Sequence, residues 1–400
     1  MWRDSDPHLP ARAHQEPSIA PASPLADRIT IVMHDFSSGG TERVAIRLAN
    51  AWAASGRSVT IFCGAETGPV RSLVGRDVAV VRTDRECPRG PGSRDMLGRA
   101  LSGFVAERRQ DVVFAPGNFH LPVLARFARS GTSGANTICK LSNPLAFRPR
   151  SAAHQAVHRF VLRRLAREID CFVAMSPALR DEARTVLGRD DIALGWEPIL
   201  TDGDIAPVSH HENTRRPTIV AAGRLEPQKN FELALKAFAR STRARDAQLL
   251  LLGEGSRDEA LRRLAARLGI ADRLSMPGYR GSITADLRAA SAFLLTSRYE
   301  GYPAVLVEAI AAGVPVITTP CSPAIAAIVA SCPAGSIVRP DVAALAAAID
   351  ATLAAGRPPR EAGPSFLTAM HAVGSAANAY LHLLDTARAT MPPRRSRAVR

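Results

Sequence analysis

The sequence predicts two α/β domains, each built on a parallel β-sheet, that face each other across a cleft. Its 400 residues fit two domains of ordinary size. Short apolar runs alternate with helix-like segments, which is the pattern of βαβ units. The alternation stops at a polar stretch between residues 202 and 216 and then starts again, so we place a linker there. Ligands of such sheets bind at the carboxyl ends of the strands, and we expect those ends to line the cleft.

In the first half, residues 1–27 are rich in Pro and Ala and are predicted to be a disordered tail. The N-terminal domain is predicted at residues 28–205. We expect strands at 29–33, 58–63, 111–115 and 171–174, and a helix at 41–55.

In the second half, the C-terminal domain is predicted at residues 206–365. We expect strands at 217–222, 247–252, 292–296 and 314–318, and a helix at 304–312. A single helical segment at 366–388 is long enough to return to the N-terminal domain. Residues 389–400 contain several arginines and form a basic tail.

Composition narrows the classes of function. The net charge of +14 suits nucleic acid, an anionic membrane surface or a phosphorylated substrate. The excess of basic over acidic residues is spread evenly over both halves of the chain, and aromatic residues make up only 5%. We therefore expect no nucleic-acid partner. No apolar stretch has the length of a membrane span, and the N-terminus lacks the apolar core of a secretory signal. Six scattered cysteines without metal-ligand spacing favour a reducing cytoplasm, and a peripheral position on the inner membrane face stays open.

Two glutamates eight positions apart bracket a predicted strand-to-helix turn. Glu300 follows the apolar run 292–296, and Glu308 lies inside the helix predicted at 304–312. Pro303 suits the first turn of that helix, because the N–H that proline lacks would be unpaired there. Two carboxylates at different depths can hold two different groups of one polyhydroxylated ligand.

Glu308 has two interpretations. Charged residues mostly face water, so a glutamate on a helix is usually solvated. The residues around Glu308 are apolar almost all round the helix, however, which predicts burial. A buried carboxylate needs partners, and a pair of ligand hydroxyls is one of them.

Two loops that follow predicted strands carry further candidates. Gly39 and Gly40 precede a helix, where glycine lets a ligand approach the backbone and the helix N-terminus favours negative charge. The dinucleotide fingerprint is absent there, and a purely structural turn is the alternative. Arg224 and Lys229 share one loop, and an arginine fork with a lysine charge is a natural clamp for a diphosphate. Solvated loop cations are the alternative, although lysine occurs in this chain only at 140, 229 and 236.

Reactive or charged side chains also follow predicted strands in the first half of the chain. His120 follows the strand predicted at 111–115 and is a candidate site residue, with an ordinary histidine as the alternative. Lys140 occupies a comparable place. The basic segment 154–167 carries several arginines, and we interpret it as a solvated helix face rather than a membrane anchor.

Taken together, these residues resemble the retaining glycosyltransferases of the GT-B fold, in particular glycosyltransferase family 4. The resemblance covers roughly residues 28–387, and the motif that contains Glu300 and Glu308 is its most specific part. The segments Ala-Gly-Arg-Leu-Glu-Pro-Gln-Lys-Asn at 222–230 and Ser-Gly-Gly-Thr-Glu-Arg-Val-Ala at 38–45 also match family patterns.

The resemblance implies roles for individual residues. Arg224 and Lys229 would hold the donor's diphosphate, Glu308 the ribose hydroxyls of the nucleotide, and Glu300 the transferred sugar. The implied catalytic residues are Glu300, Arg224, Lys229 and His120. Further implied donor-binding residues are Gly39, Gly40, Gly223, Gly301, Tyr302 and Pro303. No metal and no cofactor are implied.

The expected activity is the transfer of a sugar, with retention, from a nucleotide diphosphate sugar to a carbohydrate or lipid-linked acceptor. A UDP-sugar is the first choice of donor and GDP-mannose the second, and the expected process is cell-surface polysaccharide or glycolipid synthesis. A nucleotide-sugar epimerase or hydrolase and a non-catalytic nucleotide-sugar-binding protein are the alternatives. Residues 320–327 lack the family's glycines, and Ala327 stands where the family has a glutamate. That departure favours the non-catalytic alternative, whereas both motif glutamates favour the enzyme.

Overall fold

The computed structural model of the protein describes residues 25–37, 39–131, 134–146, 151–206, 216–358 and 365–391. Within these residues it contains two parallel sheets of seven and six strands, which confirms the predicted fold class. The predicted tails at 1–27 and 389–400 lie largely outside the described residues, and so do residues 207–215 of the predicted linker.

The first sheet has the strand order β3-β2-β1-β4-β5-β6-β7. Its strands are β1 Arg28–Met33, β2 Ser58–Cys63, β3 Ala79–Arg82, β4 Val112–Ala115, β5 Asn136–Leu141, β6 Cys171–Ala174 and β7 Ile192–Leu194. The accompanying helices are α1 Gly40–Ala54, α2 Ser93–Glu107, α3 Leu121–Ser130, α4 Ala152–Ala166 and α5 Pro177–Leu187. The next helix, α6 Asp202–Ile205, packs against the second domain. Helix α6 occupies the start of the stretch predicted as linker.

The second sheet has the strand order β10-β9-β8-β11-β12-β13. Its strands are β8 Thr218–Ala222, β9 Gln248–Leu252, β10 Leu274–Gly278, β11 Ala292–Leu295, β12 Val316–Thr318 and β13 Ser336–Ile337. Its helices are α7 Phe231–Arg240, α8 Asp258–Arg267, α9 Thr284–Ala289, α10 Ala304–Ala311, α11 Ile325–Val329 and α12 Val342–Ala355. Two last helices, α13 Phe366–His371 and α14 Val373–Thr390, follow.

Each sheet is buried on both faces. Successive residues of a strand point to opposite faces, so Ile31 and Val32 of β1 enter two different apolar cores. The second sheet divides in the same way, with Ile219 on one side and Val220 on the other. This double burial explains why the strands read as continuous apolar runs in the sequence.

The C-terminal segment returns to the first domain through two helices instead of the single helix expected at 366–388. Helix α13 packs against α10, and α14 packs against α1. The break falls at Ala372, which pairs with Leu200 in a parallel bridge, and Val373 N donates to Leu200 O at 2.8 Å. The two crossings between the domains therefore run side by side. No helix in the described part of the chain is long and apolar enough to cross a bilayer.

Candidate active site

The strand orders reverse at two places, and these places position the site. In the second sheet β8 lies between β9 and β11, so the loops after β8 and β11 leave the sheet side by side. In the first sheet β1 lies between β2 and β4 in the same way. A reversal of this kind opens a crevice at the carboxyl ends of the strands, and residues from both crevices line one cleft between the domains.

The crevice of the second domain holds an ion pair between Lys229 and Glu300. Lys229 Nζ lies 2.6 Å from Glu300 Oε1, and the two side chains are 14% and 9% exposed. Ser297 Oγ donates a hydrogen bond to the same oxygen at 2.6 Å. Lys229 and Glu300 are 71 residues apart in the sequence, and only the strand order brings them together.

The loop that carries Lys229 has a fixed backbone. Gly223 has a φ of +148°, and a Cβ on it would lie 2.9 Å from Lys229 Cε. Leu225 N donates to Glu254 O at 2.8 Å, and Glu226 accepts hydrogen bonds from Ser256 N and Oγ at 3.1 and 2.9 Å. Arg224, between these anchors, is exposed on the cleft wall.

The turn that carries Glu300 is supported by the loop at 320–323. Glu300 N donates to Cys321 O at 2.7 Å, and Ser322 Oγ donates to Gly301 O at 2.8 Å. The same loop lines the cleft, whereas Ala327 is exposed on α11 and is not part of the cleft wall. The altered sequence of this loop is therefore compatible with an ordered Glu300 turn.

Glu308 lies on α10 and faces the cleft, half-buried. Among the described residues, none donates a hydrogen bond to its carboxylate. Burial raises the pKa of Glu308, and the positive charges of Arg47 and Arg43 act in the opposite direction. Both arginines belong to α1 of the other domain, so Glu308 faces cations across the cleft and keeps its acceptor oxygens available.

The first domain contributes the glycine loop and a buried acid to the cleft. Gly39 caps α1 and Gly40 begins it. A Cβ on Gly39 would lie 2.1 Å from Glu42 Oε2, so a side chain at this position would displace the Glu42 carboxylate. Glu42 is 6% exposed and pairs with Arg89, which also pairs with Asp35 at 2.7 Å.

His120 lies on the first domain's wall of the cleft, at the point where β1 and β4 end. It is 1% exposed, and its Nε2 lies 3.1 Å from His34 Nδ1. Burial lowers the pKa of His120 to about 3 and that of His34 to about 4. Both rings are therefore neutral at pH 7. Within the described chain, His120 Nδ1 is buried without a partner.

A polar network between the domains includes residues that the sequence did not single out as site residues. Lys140 at the end of β5 forms an ion pair with Glu197, and the side chains are 1% and 7% exposed. Tyr302 Oη lies 2.7 Å from His371 Nε2, and His371 Nδ1 lies 2.8 Å from Glu197 O. Because a carbonyl oxygen only accepts, Nδ1 carries the proton and Tyr302 donates to Nε2.

The network connects the Glu300 turn to the crossing between the domains. Two sequence signals pointed to Lys140: its place at a predicted strand end and the rarity of lysine in the chain. Tyr302 was implied as a donor-binding residue, and the structure places it beside the cleft with its hydroxyl turned to His371. Pro303 lies at the N-terminus of α10, as its missing N–H predicts.

The two domains are in close contact at Gly301. A Cβ on Gly301 would lie 2.1 Å from Ser142 O and 3.1 Å from Asn143 Cα. Ser142 N in turn donates to Asn118 Oδ1 at 2.7 Å. The Glu300 turn therefore touches the loops that follow β4 and β5 of the other domain. Within the described ranges, no three His, Cys, Asp or Glu side chains converge as a metal site would require.

Each domain matches a protein family. Residues 204–363 match the family described as "Glycosyl transferases group 1", and residues 39–193 match the family described as "Glycosyl transferase 4-like domain". The two matches fall on the two sheets and together span most of the chain.

Similar proteins come from surface-polysaccharide synthesis. A region of 158 residues is 27% identical to a lipopolysaccharide 1,6-galactosyltransferase of Salmonella typhimurium, and it covers 38% of this chain and 43% of that protein. A region of 168 residues is 26% identical to the lipopolysaccharide core biosynthesis glycosyltransferase LpsE of Rhizobium meliloti, and it covers 38% of this chain and 45% of that protein. The chain thus spans less than half the length of these relatives.

Solved structures show the same fold over nearly the whole chain. Anabaena Alr3699/HepE, solved in complex with UDP, has a TM-score of 0.63 at 18% identity, with 91% of this chain and 98% of that chain covered. Sucrose-phosphate synthase from Thermosynechococcus elongatus has a TM-score of 0.68 at 20% identity, with 91% and 96% covered. The arrangement of two Rossmann-like domains across a cleft is therefore shared with these proteins.

Proposed function

We propose that this protein transfers a hexose from a nucleotide diphosphate sugar to a carbohydrate or lipid-linked acceptor, with retention, because both domains match glycosyltransferase families. The observation that carries the proposal is the Lys229–Glu300 ion pair, which faces the same cleft as Glu308 and His120. Surface-polysaccharide or glycolipid synthesis is the proposed process, in line with the names of the relatives.

We propose a UDP-sugar as the donor, with GDP-mannose as the second choice. One structural neighbour was solved with UDP and again with UDP-glucose, which supports this order. In this assignment the ribose hydroxyls donate to Glu308, whose oxygens have no donor among the described residues. The diphosphate lies near Arg224 and Lys229, and the sugar near Glu300.

In the proposed reaction the bond between the sugar C1 and the diphosphate oxygen breaks, and a bond forms between C1 and the acceptor oxygen on the same face. The leaving diphosphate takes the proton of the acceptor hydroxyl. An ammonium group has three donors, so Lys229 can hold Glu300 and still donate to the diphosphate. Arg224 adds a fork of donors, and each preorganised donor of this kind is worth roughly 10²–10³ in rate. No metal is required in this scheme.

The test is a thermal-shift panel of the full chain with UDP, GDP and several of their sugars. A nucleotide present at 100 times its dissociation constant adds about 2.7 kcal/mol of stability. We expect a shift with UDP that is lost in Glu308→Ala. The matched control is Glu259→Ala, since Glu259 is an exposed carboxylate on α8.

Two outcomes would contradict the proposal. If no nucleotide or nucleotide sugar shifts the unfolding midpoint, the cleft does not bind such donors. If UDP binds equally well to Glu308→Ala, the ribose assignment is wrong. Donor turnover measured with and without added acceptors then separates a transferase from a hydrolase or epimerase, because only a transferase depends on the acceptor.

A further inference from the structure

Helix α4 presents an exposed apolar stripe. Val157, Phe160 and Val161 are 62%, 67% and 46% exposed. Their spacing of three and four residues places them on one face of the helix. Only Leu162 and Ala166 of this helix are buried, so the helix is attached to the domain along its opposite side. Three large apolar side chains in one exposed patch are typical of an interaction surface.

The charged side chains of α4 itself are all of one sign. Arg164 lies one helical turn after Phe160 on the same face, and Arg159 and Arg163 are also exposed. The stretch 151–167 contains no aspartate or glutamate. An apolar face combined with arginines and without acids is the pattern of a helix that lies in the interface of an anionic membrane.

The same helix borders the cleft. His158, Val161, Leu162 and Leu165 line the cleft on the side of the first domain. Val161 belongs both to the exposed stripe and to this wall. A surface that meets the stripe therefore lies at the mouth of the cleft.

We propose that the exposed face of α4 (Val157, Phe160, Val161 and Arg164) binds an anionic membrane surface and holds the mouth of the cleft against it. The sequence alone favoured a solvated helix face over a membrane anchor for this segment, and the exposure of the three apolar side chains is the observation that favours the anchor in this proposal. Given the proposed function, the acceptor is then a sugar carried on a lipid, whose reacting end enters the cleft beside α4 while the lipid stays in the bilayer.

Charge argues against a second copy of the chain as the occupant. A symmetric contact would place the same patch on both sides, and Arg164 and its neighbours would face each other without an acid in the segment to pair with them. Anionic lipid headgroups provide the missing negative charge.

The test is co-sedimentation of the full chain with vesicles of phosphatidylcholine alone and with vesicles that contain phosphatidylglycerol. We expect binding to the anionic vesicles that weakens as salt is added. Removing one arginine near such a surface weakens binding about fivefold, so Arg159→Gln/Arg164→Gln should weaken it roughly 25-fold. Val157→Ser/Phe160→Ser should weaken it at least about tenfold, because the apolar contact is lost.

Matched controls lie on other elements. Phe366→Ser removes an aromatic that is 78% exposed on α13, and Arg245→Gln/Arg267→Gln removes two exposed arginines of the second domain. These variants should bind vesicles like the unmodified chain. All variants should keep the thermal shift with nucleotide, which shows that they fold.

Three results would overturn the inference: no binding to anionic vesicles, equal binding to both vesicle types, or equal loss in the control variants. A chain that sediments as a dimer and becomes monomeric in Val157→Ser/Phe160→Ser would identify a second copy as the occupant instead. Vesicle binding requires no donor chemistry. A failed vesicle test therefore leaves the proposed transfer standing, and a failed nucleotide test leaves the membrane surface standing.

Discussion

Two ion pairs line the cleft, and they differ in how deeply they are buried. Lys229 and Glu300 belong to loops, and their ion pair is open to the cleft. Lys140 and Glu197 are almost completely buried. The first pair is therefore suited to contact a substrate, whereas the second is suited to anchor the segment after β7 to the end of β5.

Glu300→Gln tests the first pair. Glutamine keeps the size of the side chain but removes the charge that faces Lys229. We expect transfer to fall by about 10²–10³ while nucleotide affinity changes little, because the ribose contact is assigned to Glu308. Single-turnover transfer and nucleotide titration measure the two quantities, with Glu259→Gln as the control. Transfer near the unmodified rate would show that Glu300 does not contact the sugar.

Lys140→Met tests the second pair. Methionine fills a similar volume but leaves the buried carboxylate of Glu197 without its partner. Such a loss costs about 3–5 kcal/mol of unfolding free energy, measured by urea denaturation. The double variant Lys140→Met/Glu197→Gln should recover a part of the lost unfolding free energy, because it leaves no unpaired charge buried at this place. A single variant within about 1 kcal/mol of the unmodified chain would contradict this role.

The elements that matter for the site are the loop–helix junctions after β8 and β11. Gly223 and Asn230 adopt positive φ angles of 148° and 52° in the loop after β8. The turn after β11 instead uses Gly301 to approach the other domain. A side chain at this position has no room beside Ser142 O.

Gly301→Ala should therefore push the turn away from the first domain. A displacement of about 1 Å in a site can cost about 10²-fold in rate, and we expect a loss of transfer of that order. Amide hydrogen exchange at residues 142–146 should become faster. Gly281→Ala is the control, because Gly281 also lines the cleft but a Cβ there meets nothing within 4 Å. If Gly301→Ala and Gly281→Ala had the same transfer rate and the same amide exchange, the contact between Gly301 and the first domain would not matter for the site.

At the scale of the whole molecule, the domains are joined by the paired crossings at 199–200 and 371–373 and by α14. Arg57 of the first domain pairs with Asp385 of α14 at 2.8 Å, and Trp52 Nε1 donates to Ala377 O at 3.1 Å. The returning helix thus completes a core of the first domain, so its removal would expose apolar surface there.

Stability should fall in mild acid. The unfolded chain protonates its histidines below pH about 6.5, whereas burial keeps the pKa of His120 near 3 and that of His34 near 4 in the folded chain. Because the unfolded state binds more protons in this window, stability is full above about pH 6.5 and is lost as pH falls towards the folded pKa values. Between pH 7 and 5 we expect a loss on the order of 2 kcal/mol for each ring.

Unfolding in urea at pH 7, 6 and 5 measures this loss. His120→Gln should make the loss of unfolding free energy between pH 7 and 5 smaller by the contribution of one histidine. His382→Gln, at an exposed position on α14, should leave that loss unchanged. A stability that is flat between pH 7 and 5 would contradict the buried neutral pair. The charged groups around the rings are Arg89, Arg94 and Asp35.

Within the described residues, the sequence by itself determined the fold class and the place of eight of the thirteen strands. The strands expected at 58–63 and 171–174 are present with those bounds, and the helix expected at 41–55 is α1, shifted by one residue. These predictions succeeded because apolar runs, glycines and prolines determine the backbone conformation of residues close to them in the sequence. The short strands β7 and β13 gave no comparable signal, since two or three residues are too few for a pattern.

The tertiary structure alone decided which side chains meet. Lys229 and Glu300, Lys140 and Glu197, and Tyr302 and His371 are 71, 57 and 69 residues apart. No local pattern encodes such distances, because they follow from the strand order and from the crossing of the chain between the domains. The exposed stripe of α4 was hidden in the sequence for the same reason. Whether an apolar face is buried depends on what packs against it, and that is a property of the assembled fold.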